Sequence, residues 1–335
     1  MSADTDPAWD RIGAARKKIR RHGGTEEWKM GKAAYLFPGQ GSQTVGMGKD
    51  LYESSPAAKA VFDAADEALG FPLTNLIFEG PAEELTQTIN AQPALLTMSI
   101  AVLRAMEEKL GDAMPEASLM AGHSLGEYTA FCAAGVFDFE TAVKLARERG
   151  RLMQEAGSVV QGSMAAVIGL PNETVAAVCK ENGIWPANYN CPGQVAISGE
   201  KDKVKAARKQ MKAAGAKLVL PLQVSGAFHT PLMQPAAEGL KAALDEVEPL
   251  DPKTAVIGNT RAQQITAGSE VKEELITQLT SCVQWTDSVQ AMAEQGVDTF
   301  IEIGAGTVLT GLVRRICPEA IRINVGSVQE IEALQ

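Results

Sequence analysis

The residues best placed to do chemistry are Gly122-His123-Ser124-Leu125-Gly126, a G-x-S-x-G pentapeptide. An apolar run, Ser118–Ala121, precedes it, and a helix-compatible run, Glu127–Ala134, follows. That context is the one a nucleophile elbow needs: a sharp strand-to-helix turn that lifts the serine hydroxyl out of a sheet. The hydroxyl then sits at a helix N-terminus, whose free N–H groups and dipole favour negative charge. A serine hydroxyl is a weak nucleophile and requires a base. The chain has three histidines, His22, His123 and His229. His123 adjoins Ser124 on the sharp turn, so its ring is poorly placed to face the hydroxyl. His22 lies in a distinct N-terminal stretch. His229 is therefore the expected base. Elbow geometry also makes the Leu125 N–H one donor of an oxyanion hole.

The order of these groups excludes an ordinary esterase or lipase. Such enzymes run serine, acid, histidine, whereas here 106 residues without a histidine follow His229. Gly39-x-Gly41 and Gly304-x-Gly306 could be read as phosphate-binding turns. Neither completes G-x-G-x-x-G, because Thr44 and Leu309 hold the sixth positions.

The elements that position these groups alternate along the chain. Ala33–Phe37 reads as a buried strand ended by Pro-Gly, Ser55–Leu69 and Pro93–Leu110 as helices, and Thr299–Ile303 as a strand leading to a helix through Arg315. This grammar predicts an α/β fold with a mostly parallel sheet and helices on both faces, a hydrolase-like domain. Between nucleophile and base the rhythm changes. Ser163–Gly169, Ile184–Tyr189, Gln194–Ser198 and Lys217–Leu222 read as strands, and Asn172–Glu181 and Lys201–Ala214 as helices. Their βαββαβ order is that of a ferredoxin-like unit. The expected organisation is a basic extension over 1–32, a large domain from 33–158 and 227–335, and an inserted subdomain over 159–226.

Composition narrows the class. Of 335 residues, 45% are hydrophobic and 21% charged, so disorder and a disulfide miniprotein are excluded. Five cysteines without a CxxC pair suggest neither a metal site nor a disulfide framework, and a reducing, cytoplasmic setting is expected. No apolar run approaches the ~20 residues a bilayer span requires. The net charge of −10 argues against nucleic acid and anionic membranes. That charge is uneven: residues 1–32 hold eight Lys/Arg against five acids, +3, leaving −13 for the body.

Several segments together carry a family resemblance. Phe37-Pro38-Gly39-Gln40-Gly41-Ser42-Gln43, Gln92-Pro93-Ala94-Leu95-Leu96, the elbow with Glu127-Tyr128, and Arg149-Gly150-Arg151-Leu152-Met153-Gln154 come in order. Asn188-Tyr189-Asn190-Cys191-Pro192-Gly193-Gln194, Phe228-His229 and Val283-Gln284-Trp285 follow. From about Ala33 to Val328 the chain resembles the malonyl-CoA:acyl carrier protein transacylases of type II fatty acid synthesis. The resemblance implies ping-pong transfer of malonyl from malonyl-CoA, through a Ser124 ester, to the phosphopantetheine thiol of acyl carrier protein. It implies His229 as base, a backbone carbonyl near Gln284 orienting it, and the Gln40 N–H as second oxyanion donor. Arg149 would bind the malonyl carboxylate, although Arg147, Arg149 and Arg151 could equally form a solvated face. Gln92, Asn190, Phe228 and Gln284 would line the substrate site, with Phe228 crowding a methyl branch. No cofactor or metal is implied, since both thioesters are substrates, and a monomer is expected. An acidic carrier would need a basic patch, such as Arg314 and Arg315 or the N-terminal arm. The same chemistry would serve a polyketide carrier, and a thioesterase-like hydrolase would share all but Arg149.

Overall fold

The computed structural model describes residues 31–224 and 226–335. The expectations for residues 1–30, His22 among them, fall outside that range.

Among the described residues, ten strands form two sheets. The larger has β1 (Lys32–Phe37), β2 (Ala117–Gly122), β7 (Val256–Ile257), β8 (Gln264–Ile265), β9 (Val297–Ile303) and β10 (Ile321–Val325), in the order β10-β9-β1-β2-β7-β8. All pairings are parallel except β7 with β8 at one edge. The apolar run of β1 explains its central place. Ala33, Tyr35 and Phe37 enter the core on one face, while Ala34 and Leu36 enter a second core on the other. A strand buried on both faces has no use for polar alternation.

The smaller, antiparallel sheet has the order β4-β5-β3-β6, from β3 (Gly162–Ile168), β4 (Trp185–Cys191), β5 (Gln194–Glu200) and β6 (Leu218–Pro221). Helices Asn172–Asn182 and Lys201–Ala213 connect its strands and help fill its own core. Its edge strand β4 is stitched to the Val283 segment: the Tyr189 N–H donates to Val283 O and the Val283 N–H to Ala187 O, both at 2.9 Å.

Two long helices flank the site. Helix Thr88–Leu110 begins five residues before the expected Pro93. Proline removes one backbone donor and would leave the Ile89 carbonyl without its helical partner. Arg147 Nη1 donates to that carbonyl at 2.9 Å, so the helix runs through Pro93. Helix Phe139–Val159 starts at Asp138, whose Oδ1 caps the Thr141 N–H at 2.7 Å. The two helices cross closely at Gly150, where a Cβ would lie 2.6 Å from Thr88 O. That crossing places Gln92 of one helix beside Arg149 of the other.

Candidate active site

Ser124 stands at the C-terminal end of β2, where the loops that follow β1 and β7 meet it. Its φ is +52°, a left-handed conformation that a serine adopts only when its surroundings impose it. The flanking glycines are required by space. A Cβ on Gly122 would lie 1.8 Å from the Gly126 carbonyl, and one on Gly126 would lie 2.0 Å from Phe37 O. Gly126→Ala should therefore destabilise the protein by at least about 3 kcal/mol, through overpacking against fixed backbone. Thermal or denaturant unfolding would register the loss.

His229 Nε2 lies 2.8 Å from Ser124 Oγ, and its Nδ1 lies 2.9 Å from the Gln278 carbonyl oxygen. A carbonyl only accepts, so Nδ1 carries the proton and Nε2 is free to accept from the serine. His229 also has a positive φ, +58°. The carbonyl that orients it corrects the expectation of Gln284. Gln278 lies in the last turn of helix Gly268–Thr280, where carbonyls lack intrahelical partners and are available to an imidazole. Gln284 instead donates its N–H to Asn259 O at 2.8 Å, one residue removed from the machinery.

Burial, and after it the positive charge of Arg149, lower the His229 pKa to about 3 against the opposing pull of the Gln278 carbonyl. The base is thus neutral over the whole physiological range. Serine acylation should be flat from about pH 5 to 8, without the fall near 6.5 that an ordinary imidazole gives. Below 6.5 the unfolded imidazole takes up a proton that the folded one refuses until about pH 3. This group therefore favours the fold above pH 6.5, and its contribution is lost as pH falls through that window. A pH–rate profile and melting curves at several pH values check both statements.

Arg149 is 1% exposed. Its guanidinium donates to Gln92 Oε1 at 2.7 Å, Gln278 Oε1 at 2.7 Å and Ser124 Oγ at 3.1 Å, and rests over the Tyr128 ring. All three acceptors are neutral oxygens, and among the described residues its Nε has no partner. The neighbouring arginines behave differently. Arg147 stacks on Phe71, and Arg151 pairs with Glu148 and Glu155 at the surface.

The turn after β1 supplies the other wall. His123 donates its N–H to Phe37 O, and Gly39 approaches so closely that a Cβ would lie 2.4 Å from His123 O. This brings the Gln40 backbone against the elbow, while Gln40 Nε2 holds Thr88 Oγ1 at 3.2 Å. Among the described residues, neither the Gln40 nor the Leu125 backbone N–H is paired with a protein acceptor.

Asn190 does not reach Ser124 or Arg149 by a hydrogen bond. Its Oδ1 lies 2.9 Å from His123 Nε2, and the His123 ring packs edge-on against Trp285. Phe228 is buried beside His229, with its ring against Gly226. Arg314 and Arg315 close the helix Val308–Ile316, and Arg315 donates to Gln194 and the Pro192 carbonyl in the small sheet. Among the described residues no group of three or more His, Cys, Asp or Glu gathers as a metal would need, and no helix is long and apolar enough to cross a membrane.

Besides Gln278, two groups that the sequence did not single out complete the site. Asn259, after β7, accepts the Ser124 N–H on Oδ1 and donates Nδ2 to Gly122 O, both at 2.7 Å. Glu127 is fully buried and meets both Asn259 and Gln278. Burial pushes its carboxyl well above the ordinary range, and the charge of Glu274 adds to this.

A serine hydroxyl bonded to a neutral, oriented imidazole, two unpaired backbone N–H groups and a buried cation have the chemistry that acyl transfer of an anionic acyl group needs. Comparison with known proteins agrees. Residues 34–329 match the acyl transferase domain family. The malonyl CoA-acyl carrier protein transacylase of Bacillus subtilis (strain 168) is 49% identical over 308 residues, 90% of this chain and 96% of that protein. The structure is similar to the acyl-carrier-protein-S-malonyltransferase of Bartonella henselae, with a TM-score of 0.87, 44% identity and coverage of 90% and 98%. It is also similar to a malonyl-transacylase in complex with its type II PKS acyl-carrier protein, with a TM-score of 0.86, 42% identity and coverage of 90% and 98%. The chain belongs to the malonyl CoA-acyl carrier protein transacylases, within the acyl transferase domain family.

Proposed function

We propose that the protein moves a malonyl group from malonyl-CoA to the phosphopantetheine thiol of an acyl carrier protein, through a malonyl ester on Ser124. Ser124 Oγ would attack the thioester carbonyl as its proton passes to His229 Nε2. Collapse of the tetrahedral adduct breaks the C–S bond, and the imidazolium returns the proton to the departing CoA thiolate. The carrier thiol then gives its proton to His229 and attacks the ester, and Ser124 recovers a proton as it leaves. Proton transfer of this kind contributes roughly 10²–10⁴-fold. The N–H groups of Gln40 and Leu125 would hold the oxyanion in both halves.

One observation carries the reading: the fully buried Arg149, bonded to Ser124 Oγ and to the side-chain amides of Gln92 and Gln278. A cation in that position, unmatched by a carboxylate in direct contact, suits an acyl group that keeps a free carboxylate beside the reacting carbon. Binding that carboxylate would also offset the Arg149 charge that depresses His229, so substrate raises the basicity of its own base. Gln92 orients Arg149, Asn190 supports the elbow through His123, and Phe228, beside His229, would crowd an α-methyl branch.

All of these residues come from one chain, so the reading needs no second copy. We read residues 159–226 as a ferredoxin-like subdomain, on the order of its sheet and its separate core. Arg314 and Arg315, exposed beside it, would meet an acidic carrier. A polyketide carrier is the second reading, favoured by the likeness to a transacylase bound to a type II PKS acyl-carrier protein. Incubating the protein with malonyl-CoA and each type of holo-carrier tests both, with carrier mass as the readout. Release of free malonate without carrier acylation would instead mark a hydrolase.

A further inference from the structure

Four polar groups of the site, Ser124, His229, Arg149 and the Gly122 carbonyl, are held by two residues, Gln278 and Asn259. Gln278 gives its backbone carbonyl to His229, its Oε1 to Arg149 Nη2, and its Nε2 to Ser124 O at 2.9 Å. Asn259 gives Oδ1 to the Ser124 N–H and Nδ2 to Gly122 O. Both converge on one carboxyl group. Glu127 Oε1 accepts the Asn259 backbone N–H at 2.6 Å, and Oε2 accepts Gln278 Nε2 at 2.6 Å.

Glu127 is in the first turn of helix Gly126–Ala133, the helix that Ser124 and Leu125 lead into. It touches none of the reacting atoms. Its two oxygens each accept one N–H, which a carboxyl group can do at both ends and an amide cannot. An amide of the same shape would aim its NH₂ group at one of those donors. If that donor is Gln278 Nε2, the side chain must move and Arg149 loses its Oε1 partner. If it is the Asn259 N–H, the residue that holds the Ser124 backbone shifts instead.

We propose that Glu127 is a positioning residue that sets the malonyl preference of the site, by locking the Gln278 amide that aims Arg149 and the Asn259 side chain that fixes the elbow. The proposal deepens the malonyl-transfer reading and rests on it. A residue that only held the fold together would affect every acyl group alike. Glu127 acts through Arg149, so its effect should depend on the acyl group.

The test is Glu127→Gln, with Ser124 acylation rates from malonyl-CoA and acetyl-CoA and the melting temperature of each protein. The expected result is a fall in malonyl kcat/KM of about 10- to 100-fold, the effect of leaving a buried donor without its acceptor. The malonyl-over-acetyl preference should fall at least about tenfold with it. An unchanged preference in Glu127→Gln, whether or not the melting temperature drops, would overturn the proposal. If that variant does not fold, Gln278→Met keeps the carbonyl at His229 while deleting the amide, and the same loss of preference is expected. Retained preference there would equally overturn it. A wild-type protein with no malonyl preference would sink the malonyl reading itself, a different outcome from either.

Discussion

Ser124→Ala should lower malonyl transfer by roughly 10⁴-fold or more while leaving the fold in place. The hydroxyl is the only group that changes, and the backbone contacts that shape the elbow do not use it: Ser124 N–H bonds Asn259, and Ser124 O bonds Gln278. Alanine also tolerates the elbow no worse than serine, since both carry a Cβ at φ +52°. His229→Ala should produce a loss of similar size, because base and nucleophile act on one proton. Ser124→Ala with His229→Ala should then be barely worse than either alone. Additive losses would mean that the 2.8 Å contact is not the reacting pair. Steady-state rates of the three variants, with melting curves to confirm folding, decide the matter.

Arg149→Met carries the second large expectation, and it should fall on malonyl-CoA alone. Removing a cation from a buried, hydrogen-bonded charge pair costs enough to lower malonyl kcat/KM by roughly 10²- to 10³-fold. Acetyl-CoA presents no carboxylate, so its slow acylation of Ser124 should stay level or rise. Two further consequences separate this variant from general damage. Gln92 Oε1 and Gln278 Oε1 lose their donor in a dry site, so the protein should melt earlier. With the Arg149 charge gone, one cause of the depressed His229 pKa goes as well, so the imidazole should titrate at higher pH than in the parent. Equal losses for both acyl groups would remove Arg149 from the specificity argument.

The sequence makes the frame of this site readable because its signals are local. Ser124 is marked by glycines that the close backbone approaches at Gly122 and Gly126 require, and His229 is left once the other two histidines are set aside. The buried strands β1, β2 and β9 show as short apolar runs, as strands covered on both faces must. What escapes is polar and internal. Gln278 and Glu127 are buried in a polar network, and composition treats them like any surface residue; Arg149 is marked by the family resemblance and not by composition. Helical spacing does carry a signal. Ala142, Ala146, Arg149, Met153 and Ala156 form one buried stripe, as do Val271, Leu275, Gln278 and Leu279. A charged or amide side chain on a core-facing stripe must find partners there, which marks Arg149 over Arg147 and Arg151, and Gln278 over Gln284. Asn259 has no such mark. It follows a two-residue strand, and only the packing of β7 beside β2 brings it to Ser124.

The helix through Pro93 teaches the same lesson. A proline is a reason to end or begin a helix, and the sequence offers no hint that Arg147, more than fifty residues away, will bond the freed carbonyl. The start of that helix is therefore set by tertiary structure, and with it the place of Gln92.

The covalent ester on Ser124 is the centre of the account, and intact-protein mass spectrometry tests it most directly. The protein is mixed with malonyl-CoA, freed of excess thioester, and then given holo-acyl carrier protein. The account predicts one malonyl group on the enzyme, mapped to Ser124 by peptide analysis. It should persist in buffer and move to the carrier when the thiol is added. Carrier malonylation that proceeds undiminished with Ser124→Ala, and with no malonyl-enzyme formed on the way, would contradict it.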